Sequence, residues 1–173
     1  LAGGAVVPGE APSEKTHTMV VSFHRGSTAI KAVVLDPPDA PIEDIVDTAR
    51  AAGCDADALK TLAGDVKTRV AATALRAEAL SRAAAQTPME WSRVSAQVRV
   101  GLYHGTGGVA AMDVPLEWPL AGARVRVVGL AGLAPAVVAA AAQRVDPGGY
   151  DSVAAALRAT QVALEAAGHV PNA

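Results

Sequence analysis

The chain is short of aromatic residues, of cysteine and of net charge, and each shortage excludes something. Two Trp, two Tyr and one Phe make up 3% of 173 residues. Flat cofactors and unstacked bases are held by rings, so an aromatic-lined cofactor pocket is not expected and no cofactor is assigned. A single cysteine, Cys54, excludes an internal disulfide and a multi-thiolate metal site. It follows Gly53, where a helix is expected to end, and reads as a small, partly buried side chain. Fifteen Lys and Arg against seventeen Asp and Glu leave a net charge of −2, without general attraction for nucleic acid. No apolar run approaches the roughly 20 residues needed to span a bilayer. The four histidines, His17, His24, His104 and His169, lack the spacing of a helical metal site. The expectation is a soluble cytoplasmic protein with no membrane, nucleic-acid or metal partner.

What is present is aliphatic. Hydrophobic residues are 51% of the chain, mostly Ala and Val, so the core must be built from small side chains packed closely. The length suits one domain. Residues 1–17 form an N-terminal arm, rich in Gly, Pro and Ala, that is either flexible or docked, and residues 18–173 form a single α+β domain.

The clearest signal runs from Val94 to Leu102, where Val94, Ala96, Val98, Val100 and Leu102 alternate with polar residues or glycine. That is the period of a strand with one buried face. Tyr103-His104-Gly105-Thr106-Gly107-Gly108 then turns the chain into a second apolar run, Val109 to Leu116, which makes a hairpin. Thr18 to Phe23 and Thr28 to Leu35, split by His24-Arg25-Gly26-Ser27, predict another, and Asp36-Pro37-Pro38-Asp39 ends it. The two share an echo, an aromatic and a His followed by Gly, a hydroxyl residue and an apolar strand.

Between the hairpins, Ile42, Ile45, Val46 and Ala49 form one helical stripe, and Leu59, Leu62, Val66, Val70, Ala74 and Ala77 form another. A third strand follows over Ala123 to Val128, then helices from about Pro135 and from a cap at Asp151 or Ser152. Segregated hairpins and helices predict an α+β fold: a mainly antiparallel sheet of about five strands, two hairpins plus one strand, with helices packed on one face.

Candidate chemistry gathers at the two histidine turns. Arg25 and Ser27 in one, and Gly105, Thr106, Gly107 and Gly108 in the other, are the candidate ligand-binding residues. Glycine backbone amides can form a concavity for an anion, and His24 and His104 are the candidate proton-transfer groups. Tyr103 to Thr106 resembles a stretch found early in ADP-ribosyl transferases and RNA 2′-phosphotransferases. Those folds place most of their sheet downstream, whereas the 67 residues that follow here are mostly helical in pattern, and the chain is placed in neither family. Arg93, Arg99, Arg124 and Arg126, with Lys31, are expected on an open sheet face that could meet a polyanion or an acidic neighbour. Gly129 and Gly132 read as close helix-to-strand packing, since the Lys-Ser/Thr of a phosphate loop is missing.

Two functional readings follow. The leading one is a small binding or assembly subunit that forms homo-oligomers through its Ala-rich helices and its arm, and holds a small anionic ligand at the His24 and His104 turns. The alternative is an enzyme acting on a small anionic substrate, with His104 or His24 as general acid or base.

Overall fold

The computed structural model describes residues 16–53, 55–102, 107–120 and 122–169. Among them Thr18–Phe23 (β1) and Ile30–Asp36 (β2), both rich in β-branched residues, pair antiparallel with Val20 opposite Val34. Glu43–Ala52 (α1) and the 29-residue Ala56–Ala84 (α2) follow. Asp55 starts α2, its carboxylate accepting the Ala58 N–H at 2.8 Å, which satisfies one of the unpaired amides of the first turn.

Met89–Glu90 (β3), Gln97–Gly101 (β4), Val109–Asp113 (β5) and Arg126–Ala131 (β6) make an antiparallel sheet in the order β3-β4-β5-β6. Pro135–Ala142 (α3) and Val153–Ala166 (α4) complete the fold. Ser152 caps α4, its Oγ accepting the Ala155 N–H at 3.1 Å.

The fold is α+β with antiparallel strands, as the sequence predicts. The strands are shared differently, because the two hairpins lie in separate sheets of two and four strands. The physical reason is the covering of the first hairpin. Met19, Val21, Ile30, Val33 and Leu35 on one face of β1 and β2 pack with Ile42 and Val46 of the α1 region and with Leu62 and Val66 of α2. That is a closed core in itself. The larger core lies under the four-stranded sheet, where Val98, Val100, Ala110 and Met112 are all inaccessible to solvent and meet Leu80, Leu157 and Leu164.

Helix α2 serves both cores. At a rise of 1.5 Å per residue it runs about 44 Å, and its buried residues keep to one side of the helix along the way. Leu62 and Val66 face the smaller core, and Ala72, Thr73, Arg76, Ala77 and Leu80 are the buried positions further on. The stripe expected through Ala74 is therefore corrected, since Ala74 is exposed. Val94, expected on the inner face of a strand, is also exposed and precedes β4.

Three arginines join the two halves. Arg69 of α2 forks onto Asp44 of α1, with Nη1 to Oδ1 at 3.0 Å and Nη2 to Oδ2 at 2.9 Å, and its Nη2 lies 3.4 Å from Glu117 Oε1. These hydrogen bonds, with the charge of Arg69, hold the Asp44 carboxyl below its ordinary range, against a smaller upward push from desolvation. Arg76 donates Nε, Nη1 and Nη2 to the carbonyls of Val114, Ser92 and Ser95. Burial lowers its affinity for the proton, and the charge of Asp113 partly restores it. Arg93 Nη1 lies 3.6 Å from Asp39 Oδ2, linking the loop before β4 to the loop after β2.

Candidate functional site

The His24 turn closes the β1–β2 hairpin, and residues 22–29 are all exposed. Its hydrogen bonds are largely internal. The His24 N–H donates to the Ala29 carbonyl at 3.0 Å, the Ser27 N–H to the His24 carbonyl at 3.1 Å, and the Ala29 N–H to Ser27 Oγ at 2.9 Å. Ser27 is thus an acceptor that shapes its own turn. The Arg25 side chain makes no ion pair among the described residues.

Tyr103, His104, Gly105 and Thr106, and with them three of the eight sequence-derived site residues, lie outside the described residues, as do Cys54 and the arm up to residue 15. The Leu102 N–H donates to the Gly108 carbonyl at 3.0 Å, joining the ends of β4 and β5. Gly107 lies against Gly132, whose φ is +76° and whose missing Cβ would press on the Gly107 carbonyl oxygen. Gly132 therefore serves close backbone packing, here between two loops.

The arginine face does not gather into a stripe. Arg124 is committed to the Gly149 carbonyl, with Nε at 3.1 Å and Nη2 at 2.7 Å, and lies 3.6 Å from Asp151 Oδ1. Arg93 is paired with Asp39. Arg99 stands opposite Glu90 on the next strand. Lys31 belongs to β2, in the other sheet, so it does not join them.

One constellation was not anticipated from sequence. His17 Nε2 and Asp39 Oδ1 are 2.6 Å apart across 22 residues, with both side chains about four-fifths buried. The signal for it lies in the hairpin register. Thr18 pairs with Asp36, so the residue before β1 must lie beside those that follow β2. His17 also lines a cleft of about 390 Å³ between the hairpin and α2, together with Met19, Leu35, Ala63, Val66, Lys67 and Val70.

A second surface is apolar and open. Helix α3 reads PAVVAAAA, without a polar side chain, yet Ala141 is its one buried residue. It flanks β6, the edge of the larger sheet, and a groove of about 220 Å³ between them is lined by Val127, Val128, Leu130, Val138, Ala142 and Val145 among others. Val128 is 57% exposed. It falls where the β5–β6 register slips by one residue.

Among the described residues no cluster of three or more metal-ligating side chains occurs, and no helix is long and apolar enough to cross a membrane. Comparison of the chain with protein-family models, with curated proteins and with solved structures finds no match in any of the three.

Proposed function

We propose that this chain is a binding or assembly subunit that associates with copies of itself through the β6 edge and α3. The observation that carries the reading is α3. A helix apolar on every side is ordinarily buried, whereas half of this one, Pro135, Ala136, Ala139 and Ala142, is exposed beside an edge strand. An edge strand offers unpaired backbone groups, and a neighbouring apolar groove adds area that gains from losing water. A twofold pairing would set the same surface against itself.

The test is mass in solution across a range of concentrations. The reading expects a mass of two or more chains at micromolar concentration, and the single-chain mass for the double variant Val128→Lys, Ala142→Arg. Both substitutions fall on accessible positions, where the cost to stability stays within about 0.5 kcal/mol. A single-chain mass for the unmodified protein up to hundreds of micromolar would overturn it. The anionic ligand belongs to the same proposal, with Arg25 as its cation. Phosphate should perturb the amide resonances of residues 24–29, and Arg25→Ala should abolish the effect.

A further inference from the structure

We infer that the cleft between the β1–β2 hairpin and α2 is a binding site for an aliphatic carboxylate, with the chain against Met19, Leu35, Val66 and Val70 and the carboxylate at Lys67. This site is separate from the proposed assembly surface and does not depend on it. Its size, about 390 Å³, falls in the range of small-molecule pockets, which pair mostly apolar walls with a few polar groups. Five of its seven lining residues are Met19, Leu35, Ala63, Val66 and Val70. The other two are His17 and Lys67, and no carboxylate lines it among the described residues.

The charge at the cleft has one sign. Lys67 is exposed and takes part in no ion pair among the described residues, unlike Lys60 one heptad earlier, which lies 3.6 Å from Asp57. Asp39, the partner of the lining residue His17, has its oxygens already taken by His17 at 2.6 Å and Arg93 at 3.6 Å. Asp36 adjoins Leu35 but, as its neighbour in a strand, faces the opposite side of the sheet. An ammonium over an apolar trough selects a ligand with an anionic head and a saturated tail. A cationic amphiphile of the same length is disfavoured by that ammonium. A bulky aromatic ligand finds no ring among the lining residues to stack on.

The experiment is a calorimetric or ligand-observed NMR titration of the full chain at constant ionic strength, below the micelle limit, with butanoate, hexanoate and octanoate and with octylammonium as control. Affinity should rise about fourfold for each added CH₂ until the cleft is filled, and octylammonium should bind more weakly than octanoate. Lys67→Gln should weaken octanoate by about three- to fivefold, and Lys67→Glu should reverse the preference between the two heads. Ala63→Trp, at an exposed position on the cleft wall, should block binding while leaving the urea midpoint in place. Binding that ignores chain length, equal binding of the two heads, or octanoate affinity unchanged in Ala63→Trp would each overturn the assignment.

Discussion

The Arg76 guanidinium is joined to Ser95, Nη2 donating to its carbonyl oxygen at 2.8 Å, from a residue that is only 1% exposed. With Ser92 and Val114 the same head serves three carbonyls on two segments that flank the larger sheet. A buried cation is tolerable when it is well hydrogen-bonded, and here each of the three guanidinium nitrogens donates to a carbonyl. The segments before β4 and after β5 are held to α2 through this one residue.

Removing it should therefore be costly. Arg76→Ala leaves a cavity and three carbonyls without their donor, so a loss on the order of 3–5 kcal/mol is expected. Arg76→Lys, whose compact head cannot reproduce the planar fork, should fall between the two. Urea unfolding followed by circular dichroism gives the number. A loss below about 1 kcal/mol for the alanine variant would mean that the three carbonyls are met some other way.

Acid should weaken the junction between α1 and α2. The Asp44 carboxyl is held down chiefly by its hydrogen bonds from Arg69, so its folded value lies below its unfolded one. Its contribution is then fully present above the unfolded value, near 3.8, and is lost as pH falls through the folded value. Asp44 is largely open to solvent, so the contribution is small. The stability difference between the unmodified chain and Asp44→Asn should stay constant from pH 5 to 8 and shrink below about pH 4. A difference that grows on acidification would contradict the pairing.

Two glycines should respond in opposite directions to alanine. Gly64 lies inside α2 with open space where a Cβ would go, and Gly64→Ala should stabilise by about 0.5–1 kcal/mol. Gly132 combines a positive φ with a Cβ direction that meets the Gly107 carbonyl, so Gly132→Ala should destabilise by roughly 2 kcal/mol or more. Thermal melts of the two variants check both signs.

The His17–Asp39 contact should show measurable coupling. In a double-mutant cycle with His17→Gln and Asp39→Asn, an interaction energy of about 1 kcal/mol is expected for a largely buried hydrogen bond to a carboxylate. Zero coupling would reduce the contact to proximity.

Much of this architecture was legible in the chain itself. Val98 and Val100 alternate with Gln97 and Arg99 because the sheet has one dry face, and the two valines are fully buried as expected. The sequence offers Asp55 or Asp57 and Asp151 or Ser152 as helix starts because a short acceptor is what a first turn needs, and Asp55 and Ser152 are the ones that cap. Arg76 was not legible. Its charge reads as a solvated position, although Arg76 lies on the same helical stripe as Leu62, Val66 and Leu80 and three carbonyls take its donors inside. The split into two sheets was hidden for a related reason, since alternation tells which face of a strand is dry but not which element dries it. His17 and Asp39 are far apart in the chain and meet only through register. Of the turn at His104 the sequence names the residues, while the described structure supplies its flanks, Leu102 and Gly107 to Gly108.

Because α2 passes from one core to the other, its two ends do not share a fate. Loosening of the hairpin strips cover from the turns around Leu62 and Val66 while those around Leu80 stay docked under the larger sheet. Backbone amides of one continuous rod will then trade protons with solvent on a slope, quickly near Ala56 and slowly near Leu80, and the steepest point of that slope marks where Arg69 and Arg76 clamp it.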